Sequence, residues 1–101
     1  MNANINQIAA AIEEYCIKTI TERPWVLPNW DKLNKADKEH IIRIATSIVL
    51  TRDDIMKGGG FVQAIVSNNL ESAIAHADAT CIQALALFVF VKLNFTLENK
   101  I

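Results

Sequence analysis

Only one stretch of this chain, residues 91–98, alternates apolar and polar side chains in the manner of a β-strand, and a lone strand can pair only with another molecule. Elsewhere the apolar residues recur at intervals of three and four, the spacing that places them on one side of a helix. The chain is therefore expected to be all-α, a bundle of about five short helices in a single domain over residues 1–101.

The first helix is expected over residues 5–20, where Ile5, Ile8, Ile12, Cys16 and Ile20 form one stripe behind Asn4 as the N-cap. Pro24 and Pro28 forbid helix in the following linker. A second helix starts after Asn34, with Asp37 three residues on, and carries Ile41, Ile42, Ile44, Ala45, Ile48 and Val49. Thr51-Arg52-Asp53-Asp54 has the form of another helix start, with a short third helix ending at Lys57. A helix over residues 61–67 stops at Asn68-Asn69, and Asn69 caps the next, which carries Leu70, Ala73 and Ile74. Asp78 caps a last helix from Ala79 to about Asn94, apolar on nearly every side and so central to the core or placed at a subunit seam.

Apolar residues make up 51% of the 101, a rich supply for one small core, so some of that surface is expected to face another copy in a homo-oligomer. Ten Lys and Arg against eleven Asp and Glu leave a net charge of −1, without the basic excess that phosphate neutralisation by a nucleic-acid binder requires. Lys32, Lys35 and Lys38 are interleaved with Asp31, Asp37 and Glu39, the pattern of a solvated face. The longest uncharged apolar run, residues 84–91, is too short to span a bilayer. The N-terminal stretch has no basic segment followed by an uninterrupted apolar one, and Cys16 and Cys81 belong to no ligand motif. A cytoplasmic protein with two small buried thiols and no cofactor is the expectation.

No catalytic arrangement is visible: there is no Gly-x-Ser-x-Gly, no His-Glu-x-x-His and no Walker lysine, since Lys57 precedes its glycines. His40 has no second metal-ligating residue at helical spacing, and reads as a surface or capping histidine. His76, Asp78 and Cys81 are neighbours in the chain, but residues two apart point to different sides of a helix. All three glycines of the protein, Gly58, Gly59 and Gly60, are adjacent. They serve either a turn where helices approach closely or, with Lys57, an anion site to which Arg52, Gln63 and Asn68 could add donors for a nucleotide. Trp25 and Trp30 share the proline linker, where a tryptophan either lids the core or anchors an interface.

Residues 56–64, Met-Lys-Gly-Gly-Gly-Phe-Val-Gln-Ala, followed by Asn68-Asn69-Leu70, Ala73 and Ala77-Asp78, resemble a group of small proteins encoded by bacteriophages and other mobile elements. Those proteins share a Gly-Gly-Gly/Ser-Phe-Val-x-Ala opening, an Asn-rich step and a closing Ala-Asp, with no established reaction. The likeness covers roughly residues 55–82, about a quarter of the chain. Where the group has a polar or aromatic tail, this chain has the apolar residues 84–91. The resemblance implies a phage-derived protein. With no catalytic arrangement among the residues, the function expected of such a protein is non-enzymatic: binding and antagonising a host protein, such as a defence factor, with Trp25 and Trp30, which lie outside the resemblance, as the anchors. The alternatives are an oligomeric sponge holding a nucleotide signal at Gly58–Gly60, and a structural, self-assembling role.

Overall fold

A computed structural model describes residues 4–97. Six α-helices are joined by short turns, with no strand among the described residues: α1 (Ile5–Glu22), α2 (Lys35–Arg52), α3 (Gly60–Val66), α4 (Leu70–His76), α5 (Ala79–Gln83) and α6 (Leu85–Asn94). The chain is an all-α bundle.

Four of the six helix starts follow from local capping chemistry. Asn4 and Gln7 form a reciprocal capping box: the Gln7 amide donates to Asn4 Oδ1 at 2.8 Å and the Asn4 amide to Gln7 Oε1 at 3.0 Å. Asn34 accepts from the Asp37 amide, Asn69 from that of Ser72 and Asp78 from that of Cys81, at 2.7, 3.1 and 2.8 Å. α1 ends where Pro24 forces Arg23 out of helical geometry (φ −136°, ψ 73°). Between α1 and α2 the chain makes two 3₁₀ turns, Pro24–Val26 and Trp30–Lys32, and drives Val26 and Leu27 into the core.

The helix expected to begin at Thr51 does not form; α2 runs through Thr51 and Arg52 instead. Asp54 takes a left-handed conformation (φ 59°), the Ile55 amide returns to the Leu50 carbonyl at 2.8 Å and that of Asp54 to the Thr51 carbonyl at 3.2 Å. This is a Schellman stop, and the Thr51 hydroxyl accepts from the Gly58 amide at 2.9 Å rather than capping a new helix. The same device closes α3: Asn68 is left-handed (φ 63°) and the Asn69 amide donates to the Ala64 carbonyl at 2.8 Å. Asn68 thus serves as a helix terminator.

α2 is the central element and packs on α1, α3 and α6. Its Ile41, Ala45, Ile48 and Val49 are fully enclosed together with Ile12 and Cys16 of α1 and Leu87, Phe88 and Val91 of α6. The last helix is two helices, not one. Regular helix geometry is lost at the buried Ala84 (φ −97°, ψ 11°), which ends α5 and starts α6. α6 ends at Asn94, where Phe95 turns to extended backbone (φ −76°, ψ 129°), and Leu87, Phe88, Val91 and Phe95 are all buried; the strand-like alternation of residues 91–97 has no counterpart in the fold, and Glu98 lies outside the described residues. The inner side of this apolar segment is sheltered within the chain's own core, while Val89 and Leu93 remain outside. On α4, likewise, Leu70 and Ile74 of the expected apolar stripe face outward, and only Ala73 is buried.

Candidate functional site

The glycine loop is a packing joint. None of the three glycines has positive φ. A Cβ at Gly58 would lie 2.6 Å from Val62 Cγ1 and 2.8 Å from Ser47 Oγ, and one at Gly60 would lie 2.8 Å from the His76 ring. A Cβ at Gly59 meets nothing within 4 Å. Gln63 stays with the loop, donating from Nε2 to the Gly58 carbonyl at 2.6 Å, and Lys57 is exposed at its start. Arg52 and Asn68 are held elsewhere: Arg52 reaches the end of α6, and Asn68 lies at the far end of α3. Because the atoms facing Gly58 include Val62 Cβ, which is tied to the α3 backbone, Gly58→Ala is expected to destabilise the fold by about 1–3 kcal/mol. Gly59→Ala is expected to stay within about 0.5 kcal/mol of the parent. Urea denaturation of the two variants checks the contrast.

The two tryptophans have different surroundings. Trp30 is half-buried against the core, with Lys38 Nζ 5.2 Å from its ring centroid. Trp25 is 62% exposed. It is held edge-to-face on Phe90 of α6 at 5.5 Å, and the Arg23 guanidinium lies 5.4 Å from the centroid of that same phenylalanine. Pro24 opens the 3₁₀ turn that carries it, so a large apolar ring is presented to solvent on a constrained backbone.

A third cluster joins distant parts of the chain. His40, on α2, meets Asp78 and Cys81 at the start of α5, which corrects its reading as an isolated surface or capping histidine. His40 Nε2 lies 2.9 Å from Asp78 Oδ2 and 3.8 Å from Cys81 Sγ. Arg43 Nη2 lies 3.3 Å from His40 Nδ1. Arginine can only donate, so Nδ1 accepts, and Nε2 carries the proton that it donates to Asp78. The other Asp78 oxygen accepts the Cys81 amide, and this bond, aided by His40, holds the Asp78 carboxyl below its ordinary range. Burial, reinforced by the Asp78 carboxylate, pushes the Cys81 thiol up to about 12. A thiol so protonated is a poor nucleophile. In a nucleophile–base–acid relay the imidazole links its partners through opposite nitrogens, whereas here Asp78 and Cys81 both face Nε2. Cys16 is pushed up to about 12 as well, by burial and then by Glu13, and both cysteines are free thiols.

This cluster was hidden in the sequence because its halves are 38 residues apart. The legible part was Asp78-x-x-Cys81, an N-cap and the residue whose amide it holds. His76, the nearer histidine, turns away: its Nδ1 lies 2.8 Å from the Ser72 carbonyl oxygen.

Two grooves mark the surface. Leu70, Val89 and Leu93, with Asn68 and Lys92, line a shallow apolar groove of about 100 Å³ between α4 and α6. A wider groove of about 430 Å³ between α1 and α2 is lined by Ile5, Ala9, Glu13, Glu39, Arg43 and Met56 among others. Among the described residues no helix is long and apolar enough to cross a membrane. Comparison with protein-family models, with curated proteins and with solved structures finds no match.

Proposed function

We propose that this chain acts by binding: a small, phage-derived, cytoplasmic helical protein that engages and antagonises a host protein without chemistry of its own. The observation that carries this reading is Trp25, 62% exposed yet fixed by Pro24 and Phe90. Tryptophan and arginine dominate the energetics of protein interfaces, and a ring held in advance loses little entropy when a partner covers it. Arg23 beside it supplies the polar half of such an anchor. Self-association belongs to the same proposal. Leu70 and Leu93, 60% and 69% exposed, stand on the α4–α6 groove and are the side chains a second copy would cover.

The experiment is capture of host proteins on the immobilised chain, paired with sedimentation velocity. Trp25→Ala is expected to abolish capture of a specific host protein while costing at most about 1.5 kcal/mol of fold stability, since it gives up one edge-to-face contact. Leu93→Asp is expected to shift the sedimenting species to monomer. Capture unchanged in Trp25→Ala would remove Trp25 as the anchor; a parent that sediments as a monomer at high concentration would remove self-association.

A further inference from the structure

The His40–Asp78–Cys81 cluster has a chemistry that neither helix packing nor partner binding calls for. An imidazole nitrogen, a carboxylate oxygen and a sulfur, from two separate elements, lie within 4.8 Å of one another. We propose that His40 Nε2, Asp78 Oδ2 and Cys81 Sγ bind one zinc ion, with the fourth position open to solvent.

The spacing fits. Tetrahedral zinc with bonds of about 2.0–2.3 Å separates its donors by roughly 3.3–3.6 Å. The nitrogen–oxygen pair stands at 2.9 Å, the sulfur–nitrogen pair at 3.8 Å and no pair beyond 4.8 Å, so side-chain rotations on fixed backbones that part the first and draw the wider pairs in admit the ion. Those backbones are held independently of any metal. His40 lies within the 18-residue α2, and Asp78 and Cys81 are pinned to each other by the cap bond from the Cys81 amide to Asp78 Oδ1, which leaves Oδ2 directed at the imidazole. A mixed nitrogen, oxygen and sulfur set suits zinc and disfavours calcium and magnesium, which take oxygen donors. Access is from solvent, because the side chains of Asp78 and His40 are 57% and 27% exposed while Cys81 lies beneath them.

The proton changes are simple. On coordination the His40 proton moves from Nε2 to Nδ1, the exposed Arg43 swings off Nδ1, and the Cys81 thiol releases its proton to solvent as the sulfur–zinc bond forms. The ion then ties α2 to the start of α5, two segments that otherwise meet at this point through one hydrogen bond and a sulfur contact. Its open position would accept water or a donor from a bound partner.

Titration of the full chain with cobalt(II) tests the site, since a bound thiolate gives a sulfur-to-cobalt charge-transfer band and tetrahedral geometry gives intense visible bands; zinc should then displace cobalt. The expected result is one equivalent bound, with the band retained in Cys16→Ala and lost in Cys81→Ser. Asp78→Asn is the variant that guards against a folding artefact, because asparagine caps a helix as well as aspartate does. It is expected to fold, to weaken binding tenfold or more, and to lose the rise in Tm that zinc gives the parent. Absence of the charge-transfer band in the parent, its persistence in Cys81→Ser, or an equal zinc response in the parent and Asp78→Asn would each overturn the proposal.

Discussion

Phe95→Ala is expected to lower the stability of the fold by about 3–5 kcal/mol, the range for emptying a fully buried phenylalanine site. Phe95 has no exposed surface, and its ring meets Tyr15 of α1 edge-on at 5.5 Å. It follows the last residue of α6 and is buried like that helix's inner face, so its loss opens a cavity where the end of α6 is fastened to α1. A small domain has only about 5–15 kcal/mol in total. At about 4–8 °C per kcal/mol, the fall in Tm is at least about 12 °C. Urea denaturation followed by circular dichroism gives the free energy, and Lys18→Ala, at an exposed site on α1, serves as the near-neutral control. A loss below about 1 kcal/mol for Phe95→Ala would mean that the C-terminal turn is not part of the cooperative core.

Arg52→Ala is expected to cost about 2–3 kcal/mol through a different mechanism. A helix leaves its last carbonyls without intrahelical partners, and at the end of α6 a side chain of α2 supplies donors to that of Lys92 and to that of Phe95 just beyond. Arg52 Nη1 donates to the carbonyls of Lys92 and Phe95 at 2.9 and 2.7 Å, with that of Val91 at 3.5 Å. Its Nε and Nη2 meanwhile hold both oxygens of Asp53, each at 2.9 Å. Hydrogen bonds from a charged donor are each worth about 1.5–3 kcal/mol, and removal leaves part-buried carbonyls and a carboxylate without that donor. Arg52→Lys is expected to recover only part of the loss, because an ammonium cannot present the planar fork that serves carboxylate and carbonyls together. The measurement is denaturation, with amide exchange reporting whether the last turn of α6 frays. Unchanged exchange in Arg52→Ala would remove the residue from the stability of that helix end. Since Arg52 holds the Phe95 carbonyl, the two substitutions are also expected to be non-additive.

Arg52 illustrates how sequence and tertiary structure divide the information. Read along the chain, it lies a few residues before three glycines and looks like a donor for the same loop. In the fold its guanidinium reaches 40 residues away to Lys92. The glycines carry a similar lesson. Three together suggest left-handed backbone, yet Asp54 and Asn68 occupy the left-handed positions, while Gly58 and Gly60 sit where another helix leaves no room for a Cβ. The helix expected at Thr51 failed because a threonine followed by acids has the form of an N-cap, and its hydroxyl was instead taken by the Gly58 amide.

The sequence by itself determined the all-α class, the first residues of α1 and α2, and the caps Asn4, Asn34, Asn69 and Asp78, because periodicity and capping act over three or four residues and need nothing from the rest of the molecule. The tertiary structure alone decided that α5 and α6 part at Ala84, that Trp25 stands outside while Trp30 packs inward, and that His40 meets Asp78 and Cys81. Those outcomes depend on which helix faces which, a choice made by the simultaneous burial of apolar surface from α1, α2 and α6, and no local pattern encodes it.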